Sequence, residues 1–272
     1  MRPHVPDGVR RACRLAAVVV VFGVLAGATY QGVATALERR TFPHPGRLVD
    51  VGGHQLHIHC TGEGSPTVVL EAAAASMSAS WGLIQPRIAA RRRVCSYDRA
   101  GLGWSEAGDR RFTPSRAVDE LPALLDGAAE RGPFIVVGRG LGAAYAKTFA
   151  ARHPARTAAL VLIEEPDEAR GLPEQSLARI TAATPWLARV GIRRVLRQAN
   201  AAAAGLPDAS AGATRTFLYR PDHLSRAAVE LAMWRQAVQM AAAATPVAPT
   251  FRSDADPDRI VAAIEAAIAW RQ

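Results

Sequence analysis

Lysine is almost missing from this sequence, since Lys147 is the only lysine among 33 basic residues and the others are arginines. Aromatic residues are also scarce, at 6% of the chain, and the arginines are scattered apart from short runs such as Arg91–Arg93. A net charge of +9 would by itself suit contact with nucleic acid or an anionic membrane. Because no basic stripe alternates with aromatic residues, we expect no nucleic-acid partner.

Cysteine is limited to Cys13, Cys60 and Cys95, with no CxxC motif and no cysteine–histidine spacing typical of zinc sites. The sequence therefore predicts no metal site and no cofactor. For Cys60 and Cys95, which fall in predicted strands, the favoured interpretation is a pair of buried free thiols. A disulfide between them is the alternative if the domain lies outside the cytoplasm.

The N-terminal segment carries a long uncharged run that begins at Leu15 and extends, in milder form, to Leu37. This run is long enough to cross a bilayer, which takes about 20 residues. Arg10, Arg11 and Arg14 precede it, so the positive-inside rule predicts a cytoplasmic N-terminus and an extracytoplasmic domain. A cleaved signal peptide is the alternative, because Ala26-Gly-Ala28 fits the small-residue cleavage pattern. We favour an uncleaved anchor over residues 1–40, because the apolar character continues past that point.

After the anchor, residues 41–47 predict a stiff spacer because they include Pro43 and Pro45. From Leu48 onward strand-like and helix-like segments alternate, a pattern typical of an α/β sheet. Residues 172–243 contain helix-like stretches without a convincing strand and are interpreted as a helical cap within a domain of residues 48–272. A final helix follows Asp256 as its N-cap, with Pro257 at the first helical position.

Three stretches of this domain resemble one branch of the α/β-hydrolase family, the esterase, lipase and chloroperoxidase-like serine hydrolases. They are Val51–Gly64 (VGGHQLHIHCTGEG), Arg93–Ser105 (RVCSYDRAGLGWS) and Phe134–Ala146 (FIVVGRGLGAAYA). Their order and spacing match the family over about residues 48–167, and the second stretch is the most specific. The resemblance implies a mostly parallel twisted sheet that is flanked by helices and carries a helical cap.

In this family the third stretch contains the nucleophile elbow, G-x-S-x-G, in which a serine sits on a sharp strand-to-helix turn. Here Gly140 occupies the serine position, between Gly138 and Gly142. Glycine has no oxygen with which to attack a carbonyl, so an acyl-enzyme route is not available. Glycine also adopts the strained elbow conformation at little cost. The resemblance therefore predicts a family member that retains the fold but has lost its nucleophile.

The other catalytic parts implied by the resemblance are altered as well. The loop after the third strand is Ala72–Ala75 rather than glycine-rich, although the backbone N–H groups of Ala74 and Leu141 would still occupy the oxyanion positions. Counting back from Pro257 places the family's histidine near Thr250, and no histidine follows His223. Glu164, at the end of the sixth strand, is the candidate position for the acid.

The segment between the predicted cap and the final helix is too short for the family's usual ending. Two strands, a helix and their loops need roughly 30 residues, and only residues 245–255 remain. We therefore expect an internal deletion that removed the seventh strand, its helix and the eighth strand, so that the sheet ends at the sixth strand.

Several alternatives remain open at this stage. The segment Gly138-x-Gly140-x-x-Ala143 follows a strand and precedes an acidic residue, Glu164, which matches a dinucleotide fingerprint. Its position argues against this interpretation, because four predicted strands come before it. His54, His57 and His59 suggest a metal cluster, although the pattern is ordinary for the family's second strand. Ser76, Ser78 and Ser80 lie near the nominal pocket as alternative nucleophiles. Asp98 and Arg99 are interpreted as a buried salt bridge or turn cap.

Taken together, the residues favour a membrane-anchored pseudo-hydrolase that contacts the membrane through its N-terminal helix and retains room for a small-molecule ligand. Two alternatives are an active hydrolase that uses unrecognised residues and a dinucleotide-binding protein. A third is a truncated, non-functional product whose sheet ends in an uncovered edge.

Overall fold

The computed structural model describes residues 6–108, 111–165 and 183–270 and contains one mixed sheet flanked by helices. The sheet has seven strands in the order β1-β2-β4-β3-β5-β6-β7, in which β1 and β2 pair antiparallel and the strands from β4 to β7 pair parallel. The strands are β1 (Arg47–Asp50), β2 (Gln55–Thr61), β3 (Val68–Glu71), β4 (Val94–Tyr97), β5 (Phe134–Arg139), β6 (Thr157–Ile163) and β7 (Thr250–Ser253).

The helices lie on both faces of this sheet and in a cap that is inserted between β6 and β7. In chain order they are α1 (Asp7–Thr41), α2 (Gln85–Ala89), α3 (Pro114–Gly127), α4 (Leu141–Arg152), α5 (helical over residues 183–189), α6 (Ile192–Val195), α7 (Asp208–Leu218), α8 (Pro221–Ala232), α9 (Trp234–Ala242) and α10 (Pro257–Trp270). The first part of the predicted cap, residues 172–182, lies outside the described residues. The rest of the predicted cap, from residue 183, is helical without a strand.

The central strands are apolar runs because both of their faces are covered. In β6, Leu160 and Leu162 join the core shared with α3, α4 and α9, whereas Val161 and Ile163 join the core under α2 and α10. This alternation follows from the two-residue period of a strand. The fold class implied by the resemblance is therefore confirmed.

The final helix forms as its sequence predicts. The Asp256 carboxylate accepts hydrogen bonds from the backbone N–H groups of Asp258 and Arg259, both at 3.0 Å, which is the N-cap arrangement. Ile260, Ile264 and Ile268 all face the sheet.

The end of the sheet corrects the expected deletion, because the sheet continues for one more strand beyond the sixth. β7 pairs parallel with β6 from Thr250↔Leu160 to Ser253↔Ile163 and is followed almost directly by α10. Its four residues alternate between exposed and half-buried positions, which is too short and too polar a pattern to stand out in the sequence. A short edge strand that carries Arg252 also resists edge-to-edge association.

Cys60 and Cys95 lie opposite each other on the antiparallel strands β2 and β4 and form a disulfide. The favoured interpretation, a pair of free buried thiols, is therefore wrong, and the alternative, a disulfide, is correct. The register explains the bond, since it places the two Cα atoms 4.0 Å apart. Cys13 is the free, exposed cysteine.

Helix α1 runs without interruption through the apolar segment, and it is long and apolar enough to cross a membrane. Its apolar side chains are exposed, for example Val19 and Phe22. Its C-terminal half packs against the cap. There the Gln31 amide donates to the Tyr219 carbonyl at 2.8 Å, and Arg194 forms an ion pair with Glu38.

The disulfide predicts a specific count of reactive thiols in the full-length protein. Under denaturing conditions without reductant, a maleimide of defined mass should add once, at Cys13, and after reduction it should add three times. A Cys13→Ser variant should show no addition before reduction and two additions after it. Three additions to the unreduced wild-type protein would contradict the Cys60–Cys95 bond.

Candidate active site

The turn between β5 and α4 keeps the shape of a nucleophile elbow. Gly140 stands at this turn with φ 53° and ψ −124°, a combination that side-chain-bearing residues adopt only with strain. The flanking glycines are needed for a different reason, which is close backbone packing. A Cβ on Gly138 would lie 2.4 Å from the Gly142 carbonyl oxygen, and one on Gly142 would lie 2.4 Å from the Ala72 carbonyl oxygen.

Gly140 itself has free space where a side chain would point. The nearest atom to a Cβ at this position is the Ala73 Cβ, at an ordinary contact distance of 3.6 Å. The elbow has therefore kept the room for a nucleophile while lacking its oxygen. What holds the turn is backbone hydrogen bonding, in which Gly140 N–H donates to the Ile163 carbonyl at 2.9 Å.

Glu164, the candidate acid, lies beside the elbow but is engaged elsewhere. It follows β6 directly and adopts a positive φ of 47°. Its carboxylate accepts a hydrogen bond from Arg139 Nε at 3.1 Å, and about half of its side chain is exposed. The structure thus brings Glu164 next to Gly140 through an ion pair with the residue that precedes the glycine.

Thr250 does not join Gly140 and Glu164, which corrects the position expected for the histidine. It opens β7 opposite Leu160, whereas the elbow end of the sheet corresponds to the pair Ser253↔Ile163. Three strand residues separate the two ends, a distance of about 10 Å. The residue at the elbow end is Asp254, whose carboxylate is paired with Arg259 at 2.6 Å. Sequence counting missed Asp254 because β7 was not recognised.

The loop that would contribute an oxyanion donor is held by side chains from beneath and from the cap. Arg99 donates to the Ala72 and Ala73 carbonyls at 2.8 and 2.9 Å. Ala75, with a positive φ of 56°, donates its N–H to Glu230 on α8 at 2.7 Å. Ala74, the candidate donor, is half-buried between them, and Leu141 is fully buried. The loop is therefore fixed even though its residues are alanines.

A buried charge cluster provides this anchorage. Arg99 pairs with Glu71 at the end of β3 and with Glu230 at 2.7 Å, and all three side chains are at most 2% exposed. Arg99 also lies over the Tyr145 ring at 5.3 Å. The interpretation of Arg99 as a buried salt bridge is confirmed. Its cap partner, Glu230, gave no sequence signal beyond being an acid on an amphipathic helix.

Two carboxylates share a single guanidinium here, and burial dominates the titration of Glu71. Burial raises the pKa of Glu71 to about 7 against the opposing influence of Arg99. Burial works to lower the pKa of Arg99, but Glu230 and Glu71 outweigh it and raise that pKa. Protonation of Glu71 removes one buried negative charge, which a medium of low dielectric constant favours.

Ser78, His57 and Asp98 lie together but not in the order of a catalytic triad. His57 Nδ1 contacts Asp98 at 2.9 Å, and the Ser78 hydroxyl is 3.5 Å from that same nitrogen. A triad needs the serine on Nε2, across the ring from the acid. His57 Nε2 is buried and has no hydrogen-bond partner within the part of the chain that the structure describes.

Asp98 instead ties loops together. It accepts backbone hydrogen bonds from Ser78 at 2.6 Å and from Trp104 at 3.0 Å, in addition to the His57 contact. Burial works to raise the pKa of Asp98, but these hydrogen bonds and His57 hold it below its usual value. Asp98 is thus a buried group that pairs with His57 and binds backbone N–H groups of two loops, in line with the buried salt bridge or turn cap expected from the sequence.

The suspected metal ligands do not converge among the described residues. His54 faces Glu120 at 3.3 Å, His57 faces Asp98, and His59 lies beside Gln85. Cys60, Cys95 and Glu130 are close enough to share an ion, but both thiols are in the disulfide and Glu130 is paired with Arg93. A disulfide sulfur is not the thiolate that binds a metal.

The dinucleotide alternative gains no support from this geometry. Such a site needs a free acid for the ribose, and Glu164 is paired with Arg139. Two cavities of about 740 and 1030 Å³ lie elsewhere, and neither is lined by Gly140, Leu141 or Ala74.

Comparison with known proteins shows that this chain has the α/β-hydrolase fold. The chain is 32% identical over 124 residues to a 2-hydroxymuconate semialdehyde hydrolase of Pseudomonas sp. (strain CF600), a match that spans 44% of each protein. It resembles the crystal structure of an α/β-hydrolase fold protein from Burkholderia ambifaria (TM-score 0.60, 24% identity, 77% of this chain and 82% of that one). It also resembles the Cif epoxide hydrolase from Acinetobacter nosocomialis (TM-score 0.66, 13% identity, 89% and 85%). No family model matches the chain.

The elbow predicts unequal costs for two similar substitutions. Gly140→Ala adds a methyl group in open space and should lower the free energy of unfolding by about 1–3 kcal/mol through backbone strain alone. Gly138→Ala drives a Cβ into backbone atoms and should cost considerably more or prevent folding. Chemical denaturation of the two full-length variants would measure this. Equal losses would contradict the elbow geometry.

The raised pKa of Glu71 predicts a dependence of stability on pH. Between about pH 4.5 and 7 the folded protein holds a proton that the unfolded chain releases, so this residue makes stability fall as pH rises through that window. Glu71→Gln removes the titration and should reduce the loss between pH 5 and 8 by roughly 2–3 kcal/mol. Denaturation at several pH values would measure it. Glu265→Gln, which alters an exposed pair with Arg91, serves as the control, and an equal effect there would contradict the assignment.

Proposed function

We propose that this chain, an α/β-hydrolase-fold protein, is a membrane-anchored pseudo-hydrolase that binds a ligand without hydrolysing it. The observation that carries the proposal is Gly140, which occupies an elbow of intact geometry with open space at the nucleophile position. Without an oxygen at this point, no acyl intermediate forms on the elbow. The proposed lack of hydrolysis differs from the activity in the names of two relatives, both of which are named hydrolases.

The general base is also unaccounted for. No histidine follows His223 in the sequence, and the buried His223 ring is held by Gly103 N–H, which donates to Nδ1 at 3.0 Å. Its other ring nitrogen, Nε2, lies 3.3 Å from the Ala75 carbonyl, so both ring nitrogens are engaged with backbone groups. Glu164 therefore has no histidine to orient among the described residues.

Anchoring by α1 is the second part of the proposal. Arg10, Arg11 and Arg14 precede the apolar run, which supports a cytoplasmic N-terminus and a domain on the outer side. The Cys60–Cys95 disulfide supports the same orientation, because such bonds persist in oxidising compartments. The ion pair between Glu38 and Arg194 joins the end of α1 to the cap.

One observation favours a second candidate, an active hydrolase with a relocated nucleophile. Ser78 lies beside a His–Asp pair, the three residue types of a triad. Its burial and its approach to Nδ1 rather than Nε2 argue against this use.

A fluorophosphonate probe tests the loss of catalysis. The purified full chain in nanodiscs should be neither labelled nor active on p-nitrophenyl esters, while a known serine hydrolase under the same conditions is both. Gly140→Ser should also remain unlabelled, because it restores the oxygen without a base. Labelling of the wild-type protein that disappears in Ser78→Ala would overturn the proposal and establish the second candidate.

The native Cys13 tests the orientation. In right-side-out vesicles, a membrane-impermeant maleimide should not reach Cys13, whereas it should label an added thiol in Glu265→Cys on the exposed domain surface. After the vesicles are opened, both should react. Labelling of Cys13 from outside would place the N-terminus on the wrong side for this proposal.

A further inference from the structure

We infer that an apolar cavity of about 740 Å³ at the C-terminal end of α1 binds the hydrocarbon chain of a membrane lipid. The inference deepens the proposed ligand binding and rests on the proposed anchoring, and it is independent of whether catalysis has been lost. The cavity lies between the spacer after α1, strands β2 and β4, α2 and α7. Ser78 is on its wall, but none of the elbow residues lines it, so it is separate from the elbow.

The walls suit an uncharged, apolar occupant. Among the residues that the structure describes, no aspartate, glutamate, lysine or arginine lines the cavity, although 21% of the chain is charged. Its rigid apolar contributors include Phe42, Pro43, Pro86, Trp104 and Pro207. The volume falls within the range of small-molecule sites, about 300–1,000 Å³. A cavity lined in this way favours an occupant whose only demand is removal from water.

The polar groups on the β2–β4 wall are paired with one another. The Gln85 amide donates to the His59 carbonyl at 2.9 Å and accepts from the Ser96 hydroxyl at 2.6 Å. Burial lowers the pKa of His59, with His57 adding to the effect, which favours its uncharged ring. These groups would contribute little to binding a polar ligand, because their hydrogen bonds are made within the protein.

Trp104 forms a fixed wall between the cavity and the cap. Its indole N–H donates to the Phe42 carbonyl at 3.1 Å, and its ring packs edge-on against Phe217 with centroids 5.1 Å apart. The spacer that follows α1 is therefore part of the cavity rather than a loose tether. A ligand in this cavity touches the residues that connect the anchor to the domain.

The charges around α1 place this cavity at the membrane surface. Residues 15–37 carry no charged side chain and are bounded by Arg14 and Glu38. Their length, about 34 Å at 1.5 Å per residue, matches a hydrocarbon layer about 30 Å thick. Phe42 follows Glu38 by about one helical turn. The cavity wall thus begins where the lipid chains end.

The cap also contacts α1 within the uncharged run, so part of the cap would lie at the depth of the lipid chains. Gly27 lies inside this run, and a Cβ there would stand 2.3 Å from the Val190 carbonyl oxygen. Several apolar cap residues near Val190 are exposed, with Trp186 at 69%, Val195 at 70% and Leu196 at 61%, although Arg193 and Arg194 lie among them. Their exposure is explained if lipid covers this face of the cap. The membrane is therefore the nearest source of a hydrocarbon chain.

Quenching of Trp104 fluorescence tests the inference, because bromine quenches an indole only at close range. The full chain would be placed in nanodiscs of phosphatidylcholine brominated on its acyl chains, and the Trp104 signal would be taken as the difference between wild type and Trp104→Phe. We expect bromination to reduce this difference signal by at least half. Ala209→Phe, at a cavity-lining position of α7, should restore it, whereas Gln239→Phe, on the exposed surface of α9, should not.

A second arm separates the possible sources of the chain. Brominated free fatty acid would be added to the protein in unbrominated nanodiscs. Quenching in this arm alone would overturn the membrane lipid as the source, and quenching in neither arm would overturn the cavity as a hydrocarbon site. Failure of the chain to co-elute with nanodiscs would overturn the anchoring itself. An active enzyme in the fluorophosphonate assay would leave this result unaffected.

Discussion

The buried guanidinium of Arg99 is the point at which the sheet, the loop after β3 and the cap are joined. It reaches Glu71 at the end of β3, the Ala72 and Ala73 carbonyls of the loop, and Glu230 on α8. Removing one partner from such a cluster leaves a buried charge uncompensated, at a cost of about 3–5 kcal/mol. The cluster therefore keeps the cap closed on the sheet whether or not chemistry takes place beneath it.

The frame around the elbow is likewise independent of a nucleophile. The elbow turn is held by the Gly140 N–H on Ile163 and by tight packing at Gly138, neither of which needs a serine. The loop beside it contains alanines instead of glycines, and its conformation is held by hydrogen bonds to Arg99 and Glu230. Glycine adopts φ 53° with less strain than a serine would, so the turn is more stable with Gly140 than with a side chain at this position.

Much of the fold could be predicted from the sequence, because the central strands and the final helix have regular apolar periods that packing then reinforces. β7 could not, since Thr250–Ser253 is short, half-exposed and without an apolar period, and the misplacement of the histidine position at Thr250 followed from that. The Cys60–Cys95 bond depends on the β2–β4 register, which spacing alone does not specify. Glu230 is distant in sequence from Arg99, so only the tertiary structure reveals their pairing.

Other tertiary contacts connect α1 to the domain, and their positions bear on the proposed lipid site. If α1 were a simple tether, its outer half would be free of the domain and the spacer would be exposed on all sides. Instead Gln31 donates to Tyr219, Glu38 pairs with Arg194, and the Phe42 carbonyl accepts from Trp104. Each of these interactions fixes the domain at one height and orientation relative to the apolar run. The proposed lipid site needs such fixation, because a cavity that takes a chain from the bilayer has to stay at the membrane surface.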